Sequence, residues 1–170
     1  MKKIISGLLV LTLILSTFSL MGCKSKSEDL SSKIESKLQA YETDINDSIS
    51  TLKTTASVRD YLLNWAKNKG INVISDSYNN VIMTIKATDG YTKVDPTVIQ
   101  CSFDSNQLAG CVTPMAIAMY IAKNPETHGA LQIIFTSSEN NNFSGVLNLS
   151  TKYFTNGTNV IALGQSTENL

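Results

Sequence analysis

Five residues, Leu131-Gln132-Ile133-Ile134-Phe135, leave this chain few architectures. They lack the polar and apolar alternation of a strand with one wet face, so the predicted strand from Ala130 to Ser137 needs cover on both faces. A second run, Thr97-Val98-Ile99-Gln100-Cys101-Ser102-Phe103-Asp104, is rich in β-branched residues and ends in a small polar cluster with one acid. It reads as another buried strand, from Thr97 to Asp104, delivering side chains to the mouth of a site. Between the two, Thr113 and Pro114 supply a hydroxyl cap and a first helical residue. The helix so predicted runs to about Lys123, with Met115, Ala118, Met119 and Ala122 inward, and Asn124-Pro125 stops it.

The remaining elements extend this strand, helix, strand core. Ile71 to Ser77 and Asn80 to Ala87 read as a hairpin around Tyr78-Asn79, Ser144 to Ser150 as a short helix, and Asn159 to Gly164 as a fifth strand. A helix from Val58 to Lys69 buries Val58, Leu62, Trp65 and Ala66; Ser57 and Asp60 read as its capping box, and Gly70 as its terminator. Upstream, Leu30, Ile34, Leu38, Tyr41, Ile45, Ile49 and Leu52 form one apolar stripe on a long helix. That stripe either packs on its own domain or drives self-association. The expected fold is α/β: a doubly wound, three-layer sheet of about five strands with helices on both faces, preceded by a long amphipathic helix. A site is expected at the carboxyl ends of the strands.

The amino terminus has a different character. Lys2 and Lys3 precede the uncharged apolar run Leu8 to Leu20, which is shorter than the roughly 20 residues of a membrane span, so the segment reads as a secretory signal. It closes on Leu20-Met21-Gly22-Cys23, which resembles a bacterial lipobox. That motif implies cleavage before Cys23, a diacylglycerol on its sulfur, and an exported chain held at the cell membrane by lipid. The expected division is a signal peptide over 1–22, a tether over 23–29, the amphipathic helix over 30–53 and an α/β domain over 54–170.

Charge and composition exclude several classes of function. The 14 basic and 14 acidic residues balance, and loss of Lys2 and Lys3 with a leader leaves a net charge of −2. With no basic run interleaved with aromatics, nothing calls for nucleic acid. His128 is the only histidine and falls in a loop before a strand, so neither a histidine pair nor an ordinary serine triad can be assembled. The nine glycines are scattered, without a phosphate-cradling loop. The sequons at Asn142, Asn148 and Asn156 carry little meaning behind a bacterial lipobox. In an exported protein Cys101 and Cys111 either pair or stay as two buried thiols.

Four stretches together resemble the amino-terminal part of the aminoacyl-histidine dipeptidases. They are Val58-Arg59-Asp60-Tyr61-Leu62-Leu63-Asn64-Trp65-Ala66-Lys67, Asp76-Ser77-Tyr78-Asn79-Asn80-Val81-Ile82, Ala87-Thr88-Asp89-Gly90-Tyr91 and Pro96-Thr97-Val98-Ile99-Gln100. The likeness runs from about Ile49 to Ser166 and implies only the first part of such an enzyme, without its second, lid-forming domain. The family implies a sheet bearing two zinc ions that activate a water.

Position by position, the resemblance also implies a degenerate site. Where the family has Gly-His-x-Asp, the chain reads Cys101-Ser102-Phe103-Asp104: Ser102 replaces the histidine ligand and Asp104, which would orient it, remains. Val112 falls where an aspartate would bridge both metals. Phe135-Thr136-Ser137-Ser138-Glu139-Asn140 keeps Glu139 at the position of the general base but has Asn140 in place of a ligand. Ala162-Leu163-Gly164 puts Gly164 at another. The resemblance therefore implies no metal and no cofactor, and no catalytic residue beyond the vestigial Asp104 and Glu139. It also places the backbones of Cys101 and Cys111 close together, implying a disulfide between elements that zinc once held. The expected function is an inactive peptidase-like domain that binds a peptide or protein. Two alternatives stay open: a peptidase with substitute ligands or a completing second subunit, and a structural lipoprotein assembling through Leu30 to Leu52.

Overall fold

The structure, a computed structural model, describes residues 27–104, 109–124, 127–138, 143–154 and 158–163. Helix α1 spans Ser27–Ile49 and α2 Thr55–Asn68. Strands β1 (Asn72–Ser75), β2 (Val81–Ile85) and β3 (Thr97–Phe103) follow, then helix α3 (Ala109–Lys123) and strand β4 (Leu131–Ser137). A short helix α4 (Ser144–Leu147), a 3-10 turn (Thr151–Tyr153) and strand β5 (Asn159–Leu163) complete it.

The five strands form one mixed sheet in the order β1-β2-β4-β3-β5. The β1, β2 and β4 pairings are antiparallel, whereas β4, β3 and β5 run parallel. The chain leaves β3 for β4 on one side and then crosses back past β3 to reach β5. Its connections use opposite faces, as right-handed crossovers require when the direction reverses. The reversal sets a switch point between the carboxyl ends of β3 and β4.

Cover on both faces is present, and it is unequal. Ile99, Cys101, Phe103, Leu131, Ile133 and Phe135 share one cluster with residues of α1, α2 and α3. On the opposite face Ile82, Val98 and Ile134 meet Tyr153, with Leu149 and Phe154 alongside. Helix α3 is buried nearly all round because the sheet lies under it and α1 over it. The α1 stripe therefore packs on the chain's own domain: Ile45 and Ile49 are buried and Leu38, Tyr41 and Leu52 half-buried against that core. Each fully buried aliphatic side chain contributes about 1.5–3 kcal/mol.

Three local expectations need correction. Helix α1 starts at Ser27, inside the expected tether, and ends at Ile49. The cap of α2 is Thr54, whose Oγ1 accepts from Ser57 N at 3.0 Å while Thr54 N donates to Ser57 Oγ at 3.1 Å. The short serine hydroxyl thus fills the role expected of Asp60, which instead pairs with Arg59 at 2.8 Å. Helix α3 begins at Ala109, not Thr113, and carries Pro114 inside it. Winding the extra residues buries Cys111 and Val112, and Thr113 Oγ1 donates to Glu42 of α1 at 2.7 Å. On the same helix Ala122 is exposed, while Ala116 and Ile117 join Met115, Ala118 and Met119 in the interior. Gly70 does terminate α2, at a φ of 72° that glycine adopts without strain.

Candidate functional site

The β1–β2 turn is held by one acid. Asp76 Oδ1 accepts from Tyr78 N at 2.9 Å and Asn80 N at 3.0 Å, and Asp76 Oδ2 accepts from Asn80 Nδ2 at 2.8 Å. Asn79, in a left-handed conformation that asparagine tolerates, closes the turn. Asn80 is thereby driven under the sheet's thinly covered face, fully buried. There its Nδ2 also donates to Gly145 O at 2.9 Å, and its Oδ1 accepts from Ser137 N at 3.1 Å. A Cβ at Gly145 would run into Asn80 Oδ1 and the Ser137 backbone, so only glycine lets α4 sit this close. Sequence reasoning passed over this clamp, although an Asp-x-x-x-Asn spacing at a hairpin turn was its visible signal.

Along the same face the carboxyl halves of β3 and β4 carry a polar row. Ser102 pairs in register with Thr136. Their hydroxyls lie 3.1 Å apart, Gln100 Nε2 donates to Thr136 Oγ1 at 2.8 Å, and Thr136 Oγ1 donates to Cys101 O at 3.2 Å. At the switch point, Ser138 N and Oγ donate to Phe103 O at 3.0 and 3.2 Å, and Ser138 Oγ reaches Asp104 Oδ2 at 3.5 Å. Asp104 is only 8% exposed. Ser138, Thr136 and Gln100 are site residues that the sequence reading had not singled out.

The other expected positions are separated or lie elsewhere. Val112, 7% exposed, faces the apolar cluster beneath α3, on the opposite side of the sheet from Ser102. Glu139, Asn140, Gly164 and Cys23 lie outside the described residues. Half-buried His128 sits where β3 and β4 begin, at the far end of the sheet, its backbone N–H donating to Thr88 Oγ1 at 2.9 Å. It is too remote to act as a base beside Asp104. Cys101 and Cys111 are both free thiols, wholly buried, so the bond the resemblance implied is open here. Burial pushes the Cys101 thiol well up from its usual range, and its interaction with Cys111 adds to the shift.

The di-zinc centre implied by the resemblance does not fit the two described ligand positions. The Ser102 hydroxyl is a poor zinc ligand already engaged with Thr136, and a valine side chain has no donor atom. No three His, Cys, Asp or Glu side chains converge among the described residues. What the arrangement offers is a short line of hydroxyl, amide and carboxylate groups at the carboxyl edge. Near it are the exposed apolar side chains Phe143, Val146 and Leu147, with Phe143 at a φ of 53° that is rare for an aromatic residue. Such a mixture suits binding through hydrogen bonds and apolar contact.

No protein-family model matches the sequence, and no curated protein sequence matches it. Solved structures do match in shape. An aminoacylhistidine dipeptidase from Vibrio alginolyticus superposes with a TM-score of 0.61 at 18% identity, covering 78% of this chain and 34% of that one. The aminopeptidase PepT from Bacillus cereus gives 0.60 at 16%, covering 76% and 43%, and a tripeptidase from Staphylococcus aureus 0.58 at 13%, covering 78% and 44%. The chain shares the fold of part of each of these proteins and spans between a third and a half of their length.

Proposed function

We propose that the chain is an exported, lipid-anchored peptidase-like domain that has lost metal catalysis and works by binding a peptide or a protein partner. The observation that carries the reading is the engagement of Ser102. At the position where the resemblance calls for an imidazole on zinc, a short hydroxyl is tied into the Gln100–Thr136–Ser102 row of the sheet. The fold likeness to dipeptide- and tripeptide-cleaving enzymes supports short peptides as the ligand class. The signal-like amino terminus ending in Gly22-Cys23 supports the anchor.

Zinc content and zinc titration of the purified chain, with hydrolysis of aminoacyl-histidine dipeptides followed alongside, test the loss of chemistry. The expected result is no stoichiometric zinc and no turnover, with dipeptide binding detectable by calorimetry. Stoichiometric zinc with turnover overturns the reading. Mass analysis of the amino-terminal peptide tests the anchor: a diacylglyceryl Cys23 supports it, and an uncleaved leader refutes it. A second reading, a peptidase completed by a second subunit, would be selected by turnover that appears only when a second peptidase-fold chain is added.

A further inference from the structure

We propose that the end of the domain where β3 and β4 begin docks on an anionic lipid bilayer, so that the carboxyl edge bearing Ser102 and Asp104 points away from the membrane. The inference rests on the lipid anchor proposed above and adds to it the face that meets the bilayer. Helix α1 fixes the geometry. Its Lys37 Nζ donates to Asn124 Oδ1 at 2.7 Å and lies 5.7 Å from the Tyr120 ring centroid, and Lys123 Nζ lies 5.1 Å from that of Tyr41. Toward the other end of α3, Glu42 meets Thr113. So α1 runs antiparallel to α3, and its amino end emerges beside the last turn of α3, where β3 and β4 begin. Only Lys24, Ser25 and Lys26 separate Cys23 from the first residue of α1, at most about 14 Å of chain. The turns of α1 ahead of Lys37 extend about 15 Å past that contact. This end of the domain is therefore within reach of the surface that holds the lipid, and the carboxyl edge is on the far side.

Charge is sorted along the same axis. Exposed Lys67 and Lys69 close α2, Lys86 follows β2, Lys93 precedes β3 and Lys123 ends α3. The registers of Asn72 with Thr84, Ile85 with Leu131 and Thr97 with Leu131 bring these positions to one end of the sheet. The acids described there are Glu35, Asp89 and Asp95, while Lys24 and Lys26 offset Glu28 and Asp29 around the start of α1. The opposite end carries Glu42, Asp44, Asp47, Asp60, Asp76 and Asp104 against Lys53 and Arg59, and Arg59 is already paired with Asp60. An anionic surface attracts the first end and repels the second. A second feature fits the same partner. In the loop between β2 and β3, Tyr91 and Val94 are 36% and 50% exposed on either side of Lys93. Successive turns hold them out: Tyr91 N donates to Thr88 O at 3.0 Å and Val94 N to Tyr91 O at 3.1 Å, while Thr88 N donates to His128 O at 3.0 Å. An amphipathic ring and an aliphatic side chain among lysines suit a headgroup layer, the apolar parts at its boundary and the ammonium groups on phosphate. The exposed Phe143, Val146 and Leu147 lie at the acidic end, which the same surface repels.

The full chain, purified with its lipid, is placed on vesicles of phosphatidylcholine alone or mixed two to one with phosphatidylglycerol, and backbone hydrogen exchange is followed by mass spectrometry. Both vesicles hold the lipid, so the difference between them reports docking. Residues 86–95 should exchange roughly fivefold more slowly on the mixed vesicles, with 143–147 unchanged. Molar salt should erase the difference, because it shortens the screening length to about 3 Å. Lys86→Glu combined with Lys93→Glu should erase it too, while exchange on phosphatidylcholine stays as in the parent chain and shows that the loop still folds. Equal exchange on the two vesicles, with Cys23 lipidated, overturns the docking and leaves the anchor standing. Protection of 143–147 in place of 86–95 also overturns it, turning the site toward the membrane. Slowing of 86–95 on both vesicles that grows with protein concentration assigns this end to a second copy of the chain and overturns the lipid contact. A Cys23 that carries no lipid by mass overturns the anchor, and this proposal with it.

Discussion

The two faces of the sheet are built on opposite terms. Beneath α1, α2 and α3 the strands present Ile99, Cys101, Phe103, Ile133 and Phe135, and stability there comes from area removed from water. The other face has a small apolar patch around Tyr153, and toward the carboxyl edge it turns to Gln100, Ser102, Thr136, Ser138 and buried Asn80. Structure there depends on hydrogen bonds between its polar side chains and the backbone. One face tolerates change in proportion to volume, the other according to which bond is lost. In an open α/β sheet the crevice outside the carboxyl ends of the strands is the usual ligand position, so the binding proposed above would fall beside this polar edge.

The contrast can be broken on either side, beginning with the largest effect. Phe135→Ala empties a fully buried site under α3 and should cost about 3–5 kcal/mol in urea unfolding. A loss below about 1 kcal/mol would mean that the helices do not carry the stability. Asn80→Ala strands Ser137 N and Gly145 O at once, and at about 1–3 kcal/mol for an unsatisfied buried group it should cost roughly 3 kcal/mol. Its signature would be enhanced proteolysis near α4 with α3 still protected, which a global collapse would not produce.

Gly145→Ala attacks the same contact from the other partner. It should cost about 2 kcal/mol through a clash with backbone that cannot swing away. Combined with Asn80→Ala the loss should fall short of the sum, since both changes open one contact.

Titration probes the apolar face next. The native Cys101 thiol has a raised pKa, so the native state holds a proton that the unfolded chain releases. With reductant present, the stability this gives is whole below the unfolded value near 8.5 and falls as pH rises from there, by up to about 1.4 kcal/mol per unit. Cys101→Ala should flatten that slope, and a slope unchanged by it would assign the effect to other groups. Ser102→Ala comes last, at about 1 kcal/mol, because Thr136 keeps its bonds to Gln100 and the Cys101 carbonyl. If dipeptide binding survives this change, Ser102 is a leftover of the sheet and not a contact of the ligand.

Much of the frame was legible because its signals are local. The unbroken apolar stretch of β4, the stripe of α1, the hairpin and the Gly70 stop depend on side-chain period and turn chemistry that a short window contains. Thr54 was missed as a cap because either of two hydroxyl residues, Thr54 and Ser57, fits the pattern, and only packing decides which peptide turns first. The early start of α3 was missed because proline is a strong local mark for a first turn, and burial of Cys111 and Val112 outweighed it.

Sequence by itself determined the kinds of element, their order, and which residues are too apolar to face water. These follow from solvation and backbone preference, which each residue carries wherever it sits. Only the tertiary structure decided that β3 and β4 lie side by side with opposite exits, and that Asn80 crosses under the sheet to hold Gly145 and Ser137. The same level of structure placed Ser102 and Val112 on opposite faces and buried Cys101 and Cys111 in one core cluster. Those are contacts between residues far apart in the chain. Their geometry depends on how whole layers pack, which no local period encodes.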